Sequence, residues 1–339
     1  MFLGLVLNRY LVLFKMKFKI ENVKKSFDYI FFFLIFSIVL EFMYSGYIPI
    51  VEFVNGNMSY GDKAFGIKTF HLFIFTLASF YAIFLFHEYL STKNKFILLK
   101  FLILYTYQFL LMSRSSFLMV TISVVLLYLF SVDRVSKKSI LKIFTFGLLM
   151  LYTFGLLGNI RETANSTFMI IAKPTENFSN SSIPEEFIWS YIYISSPIAT
   201  LQYNISKSKN ISLDKFLVSS IAPDIISKRI KGYDSVSRIY QLESWLTVGS
   251  QYSKAYKYLG WSGMYLIFFL MSAFIFFWTI LSSKNNKYFL TGYTVLLTMV
   301  LFGVFNNMWV YSALSFQLIY PYILNKLSKI SYRKKYNAR

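Results

Sequence analysis

The chain reads as an all-α, polytopic integral membrane protein with about eight to ten transmembrane helices and one large external loop. Three observations lead there. No residue is charged from Tyr288 to Asn325, from Tyr258 to Ser283 or from Ile143 to Ile160; an apolar run of about 18 residues or more can cross a bilayer as a helix. The chain is 56% hydrophobic and 21% aromatic but only 15% charged, against roughly 25% charged in an ordinary soluble domain. Its basic residues give a formal charge of +20, yet they sit in short clusters between the apolar runs. That is the pattern of membrane anchoring, not of a nucleic-acid groove. A soluble globular enzyme and a nucleic-acid partner are excluded.

The expected spans, in order, are Phe27–Gly46, Thr69–Phe86, Phe96–Met112, Ser116–Val132, Ile143–Gly158, Tyr258–Leu281, Tyr288–Phe305 and Met308–Leu324. Each is expected to be a helix, which satisfies its own backbone groups in hydrocarbon. Phe2–Phe14 carries Asn8 and Arg9 and is too short to span comfortably; Met16, before Lys-Phe-Lys, reads as an alternative start. The basic linkers are Lys15–Lys25, Lys93–Lys95, Arg134–Lys142, Lys284–Lys287 and Lys326–Arg339, and they hold more than half of the basic residues. They fall on one side if each span crosses once, and the positive-inside rule makes that side cytoplasmic. Three regions follow: an N-terminal bundle over 1–158, a large periplasmic loop over 159–257, and C-terminal spans with a basic tail over 258–339. The expected location is the bacterial inner membrane.

Phe187–Ser206 is also charge-free, but Ser190, Ser195, Ser196, Thr200, Gln202 and Asn204 make it polar and Pro197 interrupts it. Ser182 and Glu185 have the spacing of a capping box. Phe187, Tyr191, Ile194, Ile198 and Leu201 then form an apolar stripe at helical spacing. This predicts a helix near 183–204 that lies in the membrane interface, or dips in and returns, rather than spanning.

With no cysteine and two histidines in the chain, thiolate and His-rich metal sites are not expected. Asp-x-Asp, Walker and Gly-x-Gly-x-x-Gly patterns are also missing, so no metal or cofactor is expected. Chemistry would rest on arginines, carboxylates, tyrosines and one outward histidine. Arg114 and Arg161 stand at outer helix ends, and Arg229 and Arg238 lie in the long loop. A planar guanidinium there can grip a phosphate bidentately; the plainer reading of Arg114 is a snorkelling anchor. Arg161 also has Glu162 beside it as an ordinary ion-pair partner. His71, near the outer end of the second span, is a candidate general base. Glu41 lies within an apolar span, where an acid is costly unless it faces a cavity or pairs with a cation. Glu162, Glu243, Asp224 and Asp234 are alternatives, and His87 with Glu88 is expected to anchor the opposite end.

These residues, in this order, resemble the O-antigen polymerases of the Wzy type. The runs that carry the resemblance are EFMYSGYIP at 41–49, Tyr60-Gly61 with Phe65-Gly66-Ile67 and His71, SRSSF at 113–117, GNIRE at 158–162, Val248-Gly249, and LGWSGMYL at 259–266. Members usually carry further N-terminal spans, and an acidic residue is common where this chain has Lys254, Lys257 and Tyr258. The resemblance implies a GT-C-like fold and a metal-independent glycosyltransferase without cofactor. Its substrate would be an undecaprenyl-diphosphate-linked oligosaccharide at the outer membrane face, with membrane lipids, a chain-length regulator and a flippase as partners. Arg114, Arg161, Arg229 and Arg238 would then hold the diphosphate and glycan, and His71, Glu41 or Glu162 would activate the acceptor. An O-antigen ligase, with the same donor, and a lipid-linked oligosaccharide flippase are the competing readings.

Overall fold

A computed structural model describes residues 28–55, 57, 65–132, 136–161, 174–207, 210–242, 248–283 and 286–337; the short apolar run Phe2–Phe14 lies outside them. Among the described residues all regular structure is helical. The long helices are α1 (Asp28–Ser45), α2 (Phe70–Thr92), α3 (Lys95–Leu110), α4 (Arg114–Ser131), α5 (Lys137–Arg161), α6 (Glu186–Ser206), α7 (Ser253–Ser283), α8 (Phe289–Phe302) and α9 (Tyr320–Asn337). Four of them are long and apolar enough to cross a membrane: α1, α2, α5 over Lys137–Leu156, and α7. Parts of α4 and α8 form shorter apolar helices.

The chain turns sharply between α2, α3 and α4. Lys93 takes a left-handed conformation (φ 56°) and its N–H closes back on the Tyr89 carbonyl. Asn94 then caps α3, its side chain accepting from the Phe96 N–H. Met112, also left-handed (φ 53°), ends the next turn before α4 begins at Arg114. These links leave α2, α3 and α4 packed side by side, with α2 in the middle and α1 and α8 against it. Phe80, Tyr81, Phe84 and Leu85 of α2 are fully enclosed. Around this core, large apolar side chains such as Phe32 and Phe36 of α1 and Phe268 and Phe269 of α7 face outward. Hydroxyls and amides face in: Ser123 bonds Thr298, and Gln108 donates to Ser79. Outward apolar and inward polar side chains suit surroundings of hydrocarbon, where interhelical hydrogen bonds help hold a bundle together.

Helix α5 packs chiefly on α6 rather than on α4. The contact is close because Gly155 and Gly158 stand there; a Cβ at Gly155 would come within 2.0 Å of the Glu186 carbonyl oxygen, and one at Gly158 within 2.7 Å of the Trp189 ring. Trp189 donates its indole N–H to Asn159 Oδ1 (2.6 Å). The far end of α6 meets the start of α7, where Tyr256 donates to the Ile205 carbonyl. Asn204 there bonds both the N–H and the carbonyl of Tyr240. So α6 reaches from the last turns of α5 to the first turns of α7. Its polar face, with Ser190, Ser196, Thr200 and Asn204, is buried, while Tyr191, Ile194 and Ile198 of the apolar stripe are exposed. The expected capping box does not form: α6 begins at Glu186, after Pro184, and no side chain caps it.

Two further departures concern the C-terminal spans. Helix α7 is broken at Gly260 (φ 61°, ψ −145°), a backbone conformation open to glycine and strained for other residues. The expected continuous span Met308–Leu324 is instead a turn, a short helix Ser312–Ser315, a 3₁₀ turn Phe316–Ile319 and then α9. Asn307 drives the turn, its side chain accepting from the Trp309 N–H and donating to the Ser220 carbonyl. Pro321 cannot donate to the Gln317 carbonyl, which favours the tighter turn before it.

Candidate functional site

Glu41 and His71, alternatives in sequence terms, occupy one site. Glu41 in the last turns of α1 is 0% exposed, and its Oε2 lies 2.9 Å from Nδ1 of His71, whose side chain is 28% exposed. Tyr107 of α3 donates its hydroxyl to the same oxygen at 3.0 Å. The other carboxylate oxygen, Oε1, is buried without a hydrogen-bond partner among the described residues. Phe65 stands edge-on to the imidazole at 5.3 Å between ring centres, and Phe75 lies at 5.8 Å. The turn before α2 closes over this arrangement. Gly66 (φ 75°) donates its N–H to Ser45 Oγ (2.8 Å). A Cβ on Gly66 would come within 2.9 Å of both Glu41 Oε1 and the His71 ring. Only glycine fits there, in conformation and in space.

Of Arg229 and Arg238, whose side chains are described, Arg229 is the one that reaches the start of α2. Its Nη2 donates to Thr69 Oγ1 (3.0 Å), two residues before His71. The segment that carries Arg229 is stapled by Asp224. That carboxylate accepts from the Ser312 N–H (2.9 Å) and from Lys228 Nζ (2.7 Å). The Asp224 N–H donates to the Val310 carbonyl (2.7 Å) and the Ile225 N–H to Ser312 Oγ (3.2 Å). Burial alone would raise the Asp224 carboxyl, but the bonds from Lys228 and Ser312 outweigh it and hold it below the ordinary carboxylate range. Burial opposes the Lys228 charge too, and the bond to Asp224 lifts its ammonium above the usual value. Asp224 is therefore committed to architecture rather than available as a base.

Arg238 goes elsewhere: it is exposed, and its carbonyl accepts from Lys257 of α7 (2.7 Å). Asp234 is exposed in the short helix Tyr233–Ser237. Glu162 and Glu243 lie outside the described residues. Arg114 is the first residue of α4 and Arg161 the last of α5; their side chains lie outside the description. The neighbours of Arg114, Ser113 and Ser115, line a chamber of about 500 Å³ between α4, α5, α6 and the 302–311 segment. An almost wholly apolar slot of about 240 Å³ adjoins it, and the two share Met112, Ser113, Leu118, Met150 and Phe154. Tyr311 lines the chamber and, on its other side, a small void that Phe75 also lines. Phe75, against the imidazole, and Tyr311, at the chamber, thus line one common void. His87 is not an exposed anchor; it is 3% exposed inside the bundle and bonds Thr291.

Two residues, Tyr107 at the site and Lys228 as the partner of Asp224, were missed in the sequence. Tyr107 is one of 27 tyrosines, and only its place beside Gln108 in an apolar helix distinguished it. The Asp224–Lys228 pair has the i, i+4 spacing that signals an ion pair. Compared with known proteins, the chain matches no family model, no curated protein and no solved structure.

Proposed function

We propose that this protein is a polysaccharide polymerase of the bacterial inner membrane, a metal-independent glycosyltransferase acting on undecaprenyl-diphosphate-linked oligosaccharides at the outer membrane face. One observation carries the reading: an acid and a histidine 30 positions apart meet as a buried carboxylate and a partly open imidazole at the ends of apolar helices. With its Nδ1 held by Glu41, His71 offers Nε2 as a base to an acceptor sugar hydroxyl. That oxygen attacks the anomeric carbon of the donor. The bond from that carbon to the diphosphate breaks, its electron pair staying on the lipid diphosphate. Fixed donors near the leaving group stabilise the charge that develops. Arg114 stands beside the chamber, at a helix N-terminus whose free N–H groups favour anions. Arg229 bonds Thr69, two residues before His71. The slot next to the chamber has the apolar lining that a prenyl tail requires.

Deletion in the native host, read as surface polysaccharide on a gel, tests the proposal. Collapse of the ladder to one repeat unit supports a polymerase. Complete loss from lipid A–core points to a ligase or a flippase, and an unchanged ladder rejects all three.

A further inference from the structure

We propose that Tyr107 is a positioning residue that decides which nitrogen of His71 carries the proton. The argument starts from lone pairs. A carboxylate oxygen has two, and Glu41 Oε2 has two polar neighbours, Tyr107 Oη at 3.0 Å and His71 Nδ1 at 2.9 Å. Tyr107 is 2% exposed, so its hydroxyl proton needs an acceptor inside the protein, and Oε2 is the one it has among the described residues. Leaving that donor unmade would cost about 1–3 kcal/mol. Oε2 accepts from the tyrosine with one lone pair. Such a bond is stronger to a carboxylate than to a carboxylic acid, so it favours the ionised form, whose second lone pair faces the imidazole. An oxygen that accepts on both sides carries no proton of its own. Nδ1 must supply the hydrogen, and Nε2 is left with its lone pair.

Removing the tyrosine proton frees the alternative. Without that bond the carboxyl can take up a proton from solvent on Oε2 and donate it to Nδ1. The histidine's own hydrogen then sits on Nε2, so the pair holds one proton more and Nε2 has lost its basic lone pair. The Gly66 N–H does not serve Oε1: although a Cβ there would lie 2.9 Å from that oxygen, the N–H is turned to Ser45 Oγ instead. Tyr107→Phe deletes only the hydroxyl. The ring contacts with Phe42 (6.2 Å) and Phe75 (6.5 Å) are retained, so the helices keep their packing.

The inference concerns the histidine itself and rests on the proposed function only in its activity arm. The full chain, with ¹⁵N-labelled histidine, is placed in lipid nanodiscs in mildly alkaline buffer. There are two histidines to assign, and His87→Asn identifies the second signal. Wild-type His71 should show a protonated Nδ1 and an unprotonated Nε2. In Tyr107→Phe the pattern should shift towards a protonated Nε2. A wild-type spectrum with the proton on Nε2 overturns the proposal. So does Tyr107→Phe with the wild-type pattern and a native circular dichroism spectrum. If the variant does not accumulate, the wild-type spectrum decides alone. Polymer synthesis is measured separately at matched membrane levels and should fall roughly tenfold or more. A shifted tautomer with undiminished polymer would uphold the positioning role and reject His71 as the base.

Discussion

Glu41 and Asp224 are both acids shielded from solvent near the same end of the bundle, and they are used in opposite ways. Asp224 has both oxygens engaged, one by the Ser312 N–H and one by the permanent cation of Lys228. Among the described residues Glu41 receives two bonds on one oxygen and none on the other, and its partner is a histidine, whose ring nitrogen can donate or accept. A buried acid that serves architecture fills its lone pairs, because each empty one costs free energy. An acid that stays half-satisfied beside a titratable partner carries a cost that packing does not explain. Such sites are where function is most often found.

If the chain polymerises lipid-linked glycans as proposed, the largest effect expected from this contrast is on polymer length. His71→Ala and Glu41→Gln should each lower polymerisation by about 10²–10⁴-fold, the usual contribution of a general base. The ladder should shrink to one repeat unit. Asp224→Asn should keep long chains, since it loosens a staple and removes no reacting group. Gel profiles at matched membrane levels check all three. Long chains from His71→Ala would break the comparison on the Glu41 side, and short chains from Asp224→Asn would break it on the other.

Next in size is the arginine at the chamber. Arg114→Lys should reduce polymer yield almost as far as Arg114→Ala, because a point charge cannot reproduce the bidentate fork. Normal chains from Arg114→Lys would leave this arginine as a membrane anchor and move the diphosphate to other groups, Arg229 first. Arg238→Lys should change little, since the residue is exposed and its bond to Lys257 runs through its backbone carbonyl.

The helices were largely legible because apolar runs and charge gaps are local signals, and lysine clusters mark where they end. The breaks were harder. Asn307 ends a helix through a bond to Ser220, 87 positions away, which no window of sequence reveals. The site was half legible for the same reason. The cost of an acid in an apolar helix marked Glu41, and scarcity marked His71. Their union depends on how α1, α2 and α3 pack, so the two read as rivals when they are partners. Tyr107 had no local signal strong enough to separate it from the other tyrosines. The apolar stripe of α6 was readable as a stripe, but its outward direction follows from Gly155 and Gly158 drawing the opposite face onto α5.

Gly66→Ala probes the closure over Glu41 and should have an intermediate effect. An alanine in a left-handed conformation costs about 1–2 kcal/mol, and its Cβ would also press on Glu41 Oε1 and His71 at 2.9 Å. Relief requires the carboxylate or the ring to move, so activity should fall by about tenfold, beyond what lost stability explains. Purified variants at equal folded fraction check this. If Gly66→Ala is as active as the wild type, the turn is only a connection and the pairing tolerates displacement.

The smallest effect belongs to the Asp224 staple, and its sign follows from its two partners. The Asp224 carboxyl is held below its ordinary range, so its contribution is full above the unfolded-state value and disappears as pH falls through the lower, folded value. The Lys228 ammonium is raised, so its share is full below the ordinary lysine value and is lost as pH climbs through the folded one. Both act together only between those limits. Lys228 is 61% exposed, and solvent screening keeps such a pair to about 1 kcal/mol or less. For a chain of this size that is a melting difference of about 1–3 °C. The gap between wild type and Asp224→Asn should therefore be widest near neutral pH. It should close in acid, where the native carboxyl is itself protonated, and narrow in strong alkali. A gap that stays constant into acid would mean that Asp224 holds the 310–312 segment by shape and not by charge, and its contrast with Glu41 would lose its electrostatic half.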